Sequence, residues 1–348
     1  VKKLKEDFSQ IISSNLEWKR FENKTILITG ANGFLPAYMV DTLLFLNQTI
    51  LCDKPCRVIA LVRNKVHAEQ RFYKYLSNDR FWLLVQDISK PIQVAEKIDY
   101  IIHAASPASP KYYKNDPVGV IMPNVLGTKN TLDFAVANKA SGYLYFSSGE
   151  VYGELPAGEV MTEDNYGYLD PMTVRACYGE SKRMGENMCV SYAHQYNLPI
   201  KIVRPFHTYG PGMKLDDGRV FADFVKNIIH NEKIQLRSDG SVERSFCYLA
   251  DAVIGFFTVL LKGDVNEAYN IANPYQTITI KNLALLLVKL FPEKKLCATF
   301  VEQKENYLQS PILSPIADIS KITALGWEPT TTIESGFKKT IRSYLNDK

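Results

Sequence analysis

Six short, largely apolar runs constrain this chain more than any other feature: "TILIT" (25–29), "RVIALV" (57–62), "FWLLV" (81–85), "YIIHAA" (100–105), "YLYFSS" (143–148) and "IKIVRPF" (200–206). Runs without polar alternation read as strands covered on both faces, which is the habit of a parallel sheet. Between them, Val120–Asn138 and Lys182–Tyr196 are long enough for helices. Strand and helix in alternation predict an α/β fold with a doubly wound parallel sheet.

Residues 1–23 carry Leu4, Phe8, Ile11, Ile12 and Leu16 at roughly helical spacing, which predicts an amphipathic helix laid on the protein's own core. Residues 24–205 form the expected dinucleotide-binding domain, with a later returning segment at about 245–273. After about residue 212 the pattern loosens. "DDGRVFADFVKNIIH" and "TIKNLALLLVKLF" read as helices between short strand-like pieces, so 206–348 is expected to be mainly a smaller, mixed substrate lobe.

The 348 residues suffice for a large core, and a net charge of +4 from 41 basic and 37 acidic residues leaves no basic face for nucleic acid. The six cysteines are scattered, and with five histidines they offer no metal-ligand spacing, so no metal is expected and the cysteines read as reduced thiols. No apolar stretch reaches membrane-spanning length, and the expectation is a cytoplasmic protein without a membrane partner.

Gly30 follows the first strand and Gly33 precedes a helix, the arrangement that lets a pyrophosphate approach a helix N-terminus. Pro36 stands where a third glycine would fall, and a first helical turn accepts it because its missing N–H has no partner there. The second strand ends Val62-Arg63-Asn64-Lys65, with Arg63 where an acid would meet the ribose hydroxyls. An arginine there suits a 2′-phosphate, so NADP stands open beside NAD. Asp87, after the third strand, is a candidate for the adenine amino group.

Tyr178 and Lys182 stand four apart in "CYGESKRMGE" and share a helix face. An ammonium near a phenol favours the phenolate, making a base usable near neutral pH. After a glycine loop and a strand ending in "FSSGEVYG", the pair resembles the short-chain dehydrogenase arrangement, which implies that Ser147 or Ser148 bonds the reacting oxygen and that Asn124 holds the helix and lysine in place. His103, His67, His194 and His230 read as structural or surface residues, and Tyr143, Tyr145 and Phe146 as core.

"HAASPASPKYYKNDPVGVIMPNVLGT" (103–128), "SSGEVYGE" (147–154), "VRACYGESKRMGENMC" (174–189), "VRPFHTYGPGMKLDDGRVFADF" (203–224), "RSFCYLADAV" (244–253) and "ADISKITALGWEP" (317–329) carry a specific likeness. From about residue 24 onward the chain resembles the extended short-chain dehydrogenase/reductase (NAD-dependent epimerase/dehydratase) family, and most of all its UDP-glucuronate decarboxylase branch. The resemblance implies a Rossmann-type fold and bound NAD. It also implies a nucleotide-diphosphate sugar oxidised transiently at carbon 4, and decarboxylation as the best match among the family's reactions. Carried over by position, Tyr178 is the base, Lys182 its tuner and Ser148 the hydroxyl partner. Glu150 and Arg244 match the pair that serves the carboxylate-bearing carbon and its protonation. Gly30, Asn32, Gly33, Phe34, Leu35, Arg63, Asp87, Ile88, Ala104, Ala105, Asn124, Ser147, Pro205 and His207, with Tyr178 and Lys182, fall at cofactor positions. Ser106, Pro107, Tyr113, Glu150, Arg175, His207, Arg219, Val220, Gln235 and Arg244 fall at substrate positions. Family habit adds a homodimer and a role in surface-polysaccharide synthesis.

The chain also departs from the family pattern. Gly149 stands where decarboxylases carry serine and 4,6-dehydratases an acid, His207 where an asparagine is usual, and "LSPIAD" lacks an arginine that often clamps the diphosphate. Four alternatives to decarboxylation therefore stay open: 4-epimerisation, 4,6-dehydration, NADP-dependent reduction, and non-catalytic nucleotide binding.

Overall fold

A computed structural model of the chain describes residues 2–156, 158–236, 238–300 and 316–345. Seven parallel strands form its central sheet: β1 (Thr25–Thr29), β2 (Arg57–Val62), β3 (Phe81–Val85), β4 (Tyr100–His103), β5 (Gly142–Phe146), β6 (Ile200–Pro205) and β7 (Glu267–Ile271). Their spatial order is β7-β6-β5-β4-β1-β2-β3, each neighbour parallel. This is the doubly wound α/β sheet that the apolar runs predict. β7 had no apolar run of its own to announce it, since "EAYNI" is broken by Glu267 and Asn270, but it pairs in register with β6 (Tyr269 with Val203).

Chain order reverses between β1 and β4, so the crevice of a doubly wound sheet opens at their C-terminal ends. The register Thr29↔His103 sets Gly30 and Ala104 side by side at this edge, and Ser147 follows β5 on the next strand over. The helix Phe34–Leu46 is apolar on nearly every face because it is buried, packed against β1 and β2, the N-terminal helix Lys2–Ile12 and the helix Leu249–Lys262. Pro36 is its third residue, inside the first turn, where an N–H would have gone unpaired.

The N-terminal helix packs Phe8 and Ile11 into the core, with the Phe8 ring 4.8 Å from that of Tyr38. Asp7 on the same helix is buried as well, accepting hydrogen bonds from Tyr38, Tyr248 and Lys339. One carboxylate therefore ties this helix to three distant parts of the chain. The helix run from Pro117 to Asn138 passes through a π-turn at Pro123–Gly127. That widening occurs where the run passes the helix Cys177–Tyr196, and it carries Asn124.

Candidate active site

The glycine loop closes tightly on the strand beside it. Gly30 has φ +62°, and a Cβ there would lie 2.6 Å from the Ala105 Cα, so only glycine fits. Gly33 caps the following helix with extended backbone, and its N–H donates to the Gly30 carbonyl at 2.8 Å. Asn32, Phe34 and Leu35 are half-buried around this turn, as are Ala104 and Ala105 across from it.

Below the loop, His103 is buried and bridges Thr29 (2.8 Å) and Thr128 (3.1 Å). The Thr128 hydroxyl donates to the Asn124 carbonyl, so it must accept from His103 Nε2, and Nδ1 accepts from Thr29. The imidazole is neutral, pushed down to about 3 by burial and then by the Lys182 charge. His103 is thus a structural bridge, as the sequence suggests.

Tyr178 and Lys182 lie in the opening turns of the helix Cys177–Tyr196, and both are buried. Lys182 Nζ donates to the Phe146 carbonyl at 2.6 Å and lies 5.9 Å from the centre of the Tyr178 ring. Burial pushes the ammonium down to about 7. The Tyr178 phenol stands at about 12, above its ordinary value rather than below it. Burial is the main cause and the Glu150 charge adds to it, while the Ser148 hydroxyl and the charges of Arg219 and Arg175 pull the other way. Burial thus raises the phenol even though the ammonium lies near it, and the ammonium's own hydrogen bond goes to the Phe146 carbonyl.

Around the phenol stand the residues expected to face a sugar. The Tyr113 ring stacks on Tyr178, its hydroxyl donates to the Ala108 carbonyl, and the Arg175 guanidinium lies 4.9 Å from its ring centre. Arg175 Nη2 donates to Glu150 Oε1 at 2.8 Å, and Glu150 Oε2 is buried without a partner. Glu150 is therefore paired with Arg175. Arg244, which the resemblance sets beside Glu150 in serving the carboxylate-bearing carbon, lies on the short strand Glu243–Ser245, where Nη1 donates to the Glu243 carbonyl. The charges of Arg244 and Arg219 both reach His207, which they and its burial push down to about 3. Arg219 is itself paired with Asp217 at 2.6 Å.

Arg175, Arg219 and Arg244 outnumber the carboxylates of Glu150 and Asp217, which makes a pocket suited to an anionic ligand. The buried oxygens of Ser106, Ser147 and Asn124 have no partner, which leaves hydrogen-bonding capacity along the same crevice. Asn124 does hold the lysine's helix, since its amide donates to Ser181 at 3.0 Å. With the closed glycine cradle, these orphaned groups fit a dinucleotide.

Some expected residues lie apart from this cluster. Asp87 is exposed and accepts from the Ser89 N–H, and Ile88 next to it is buried against the π-turn. Arg63 is exposed at the end of β2, and Gln235 and Val220 are exposed on the C-terminal part of the chain. Pro107, in the irregular segment after β4, and Pro205, the last residue of β6, are half-buried. Residues 313–315 of "LSPIAD" lie outside the described residues. Phe206 escaped the sequence reading altogether. A Cβ on Gly149 would lie 2.9 Å from its ring, so the phenylalanine occupies the space a side chain at 149 would need.

Among the described residues no group of His, Cys, Asp and Glu could hold a metal ion, and no helix is long and apolar enough to cross a membrane. The described cysteines are all free.

Comparison with known proteins gives relatives in sequence and in fold. UDP-glucuronic acid decarboxylase 6 of Arabidopsis thaliana is 36% identical over 316 residues, 90% of this chain and 87% of that protein. UDP-glucuronic acid decarboxylase 1 of Danio rerio is 31% identical over 329 residues, covering 94% and 74%. Among solved structures, the UDP-glucuronic acid 4-epimerase of Bacillus cereus, in complex with UDP-glucuronic acid and NAD, superposes with TM-score 0.78 at 23% identity, covering 93% of this chain and all (100%) of that one. The dTDP-glucose 4,6-dehydratase of Bacillus anthracis, in complex with NAD, gives 0.77 at 20% identity, covering 93% and 97%. The model of the NAD dependent epimerase/dehydratase family matches residues 26–272, and the chain belongs to that family.

Proposed function

We propose that this protein is an NAD-dependent enzyme that decarboxylates UDP-glucuronate to a pentose nucleotide. The observation that carries the reading is the Glu150–Arg175 pair, set against the stacked Tyr113 and Tyr178 and keeping one carboxylate oxygen unpartnered. A base at carbon 4 suffices for epimerisation. An added carboxylate and guanidinium serve chemistry at the adjacent carbon. Gly149 lacks the acid that a dehydratase carries there, and the Phe206 ring fills the space beside it. The Arabidopsis and Danio relatives, named as decarboxylases, point the same way.

Bound in the crevice, NAD supplies a hydride acceptor for sugar carbon 4 and a positive charge that favours the Tyr178 phenolate. Gly30, Gly33, Ser147, Asn124 and Lys182 would hold it. Tyr178 takes the proton of the 4-hydroxyl, with Ser148 orienting the oxygen. The β-keto acid so formed loses carbon dioxide, and the bonding electrons pass into an enolate whose negative charge the arginines stabilise. Carbon 5 would take a proton drawn from water on the Glu150 side, Tyr178 gives its proton back to the carbon-4 oxygen, and the bound cofactor would supply the returning hydride. In this reading residues 24–205, with the return at about 245–273, bind the dinucleotide, and 206–348 supply most of the sugar-nucleotide lobe.

The reading includes a homodimer. Val118, Met122 and Leu126 recur every four residues and are exposed, and Met184 on the helix Cys177–Tyr196 is exposed too. Paired across a two-fold axis, such stripes form a four-helix contact. A cytoplasmic supply of pentose nucleotide to polysaccharide synthesis rests on the resemblance.

Incubation of the purified protein with UDP-glucuronate tests the proposal. Release of carbon dioxide and a pentose nucleotide by mass spectrometry is the expected result. An unchanged UDP-glucuronate spectrum, with turnover of another nucleotide hexose, moves the assignment to a sibling reaction.

A further inference from the structure

Lys182 is only 2% exposed, yet among the described residues no carboxylate pairs with it. The nearest acid on its own helix, Glu186, is taken by Arg204 through two bonds of 2.9 and 2.7 Å. Its hydrogen-bond acceptor is the Phe146 carbonyl. A buried ammonium with so little compensation needs another electron-rich surface. The Tyr145 ring supplies one: its centre lies 5.1 Å from Lys182 Nζ, nearer than that of Tyr178 at 5.9 Å.

The sequence on the facing helix makes room for that ring. A Cβ on Gly185 would lie 2.0 Å from the Tyr145 hydroxyl oxygen and 2.5 Å from Cζ. Any larger residue at 185 would push the tyrosine off its seat. Tyr145 is itself fully buried on β5, opposite His103 on β4.

We propose that Tyr145 is a positioning residue for Lys182, carrying the ammonium on its ring face, and that Gly185 is the notch that admits the ring. The attraction between a cation and an aromatic face is strongest where water is excluded, as here. The other titratable groups facing the lysine are Tyr178, Glu186 and Cys189 on its own helix and His103 from β4. His103 is neutral and Glu186 is neutralised by Arg204, so neither competes with the ring. Burial leaves Lys182 at about 7, so a modest loss of support deprotonates it at neutral pH. The inference rests on reading Tyr178 and Lys182 as base and tuner, but not on which nucleotide sugar is turned over.

The test follows the ionisation of Lys182 directly, by nuclear magnetic resonance of isotope-labelled lysine ε-carbons in the full chain, with the signal assigned by its loss in Lys182→Met. No substrate is needed, so failure of the decarboxylase reading leaves this result intact. In Tyr145→Leu the midpoint is expected to fall by about one pH unit, and in Tyr145→Phe, which keeps the ring, to stay within a few tenths. The descending alkaline limb of the rate profile, measured with whichever nucleotide sugar is turned over, should move down in step. Equal midpoints in all three proteins, or equal falls in both variants, overturn the proposal. If Tyr145→Leu does not fold, phenylalanines of increasing fluorination at 145 weaken the ring face with little change of shape. A stepwise fall then supports the inference and a flat series overturns it.

Discussion

The rings of Tyr113 and Tyr178 lie stacked, centroids 5.0 Å apart and 17° from parallel, and Arg175 reaches over the Tyr113 ring. The stack orients the phenol without using its hydroxyl. Tyr178→Phe should therefore leave fold and cofactor binding unchanged while turnover falls by about 10²–10⁴, the usual cost of a lost general base. Tyr113→Leu removes the stack and the seat of Arg175. About 1–3 kcal/mol of stability should go with it, and activity should fall less than in Tyr178→Phe. Steady-state rates beside denaturant melts separate the two. Full activity in Tyr178→Phe would remove the base assignment.

Gly149 and Phe206 share one volume. Gly149→Ser forces the Phe206 ring to move and should cost about 1–3 kcal/mol, the range for overpacking a buried site. Phe206→Leu made alone leaves space, and combined with Gly149→Ser it should recover part of the loss. A double-mutant cycle by chemical denaturation reads the coupling, and strictly additive effects would show that the ring is not the obstacle.

Much of this was legible in the chain because the signals are local. The six apolar runs coincide with β1–β6 to within a few residues, since a sheet covered on both faces needs no polar alternation. Tyr178 and Lys182 share a helix face by spacing alone. What spacing cannot carry is contact between distant segments. Nothing near Asp7 announces Tyr248 or Lys339, and Glu150 gives no sign that Arg175 will pair with it. The direction in which burial moves the phenol is hidden from the sequence for a related reason. The spacing brings the lysine near, but the depth of burial and the direction of its N–H bonds are set by β5, from another part of the sequence.

Glu150→Gln keeps the shape of the side chain and removes its charge. Arg175 is then left buried with a weaker acceptor, so binding of a carboxylated nucleotide sugar should hold or tighten. Under the proposed function, oxidation at carbon 4 proceeds and protonation at carbon 5 slows, so reduced cofactor should build up and kcat should fall by about 10²-fold or more. Absorbance of the reduced nicotinamide during single turnover reports this. Normal product formation without such accumulation would take Glu150 out of the proton path.

His103 predicts an acid limb of stability. Its folded value is about 3, against about 6.5 for an unfolded histidine, so between these two values the unfolded chain binds a proton that the native one refuses. The contribution is fully present above about pH 6.5 and is lost as pH falls toward 3, with a slope of up to about 1.4 kcal/mol per pH unit. Protonation would also put a third donor against Thr29, whose hydroxyl already accepts from the Ala104 and Ala105 N–H groups. His103→Gln can keep a bridge between Thr29 and Thr128 but has nothing to protonate. Its melts should start lower at pH 7.5 and decline less steeply between about pH 6 and 4, by about one proton's worth of slope. Parallel pH dependence of the two proteins would mean that the histidine does not titrate in this window, and that the acid limb belongs to the carboxylates.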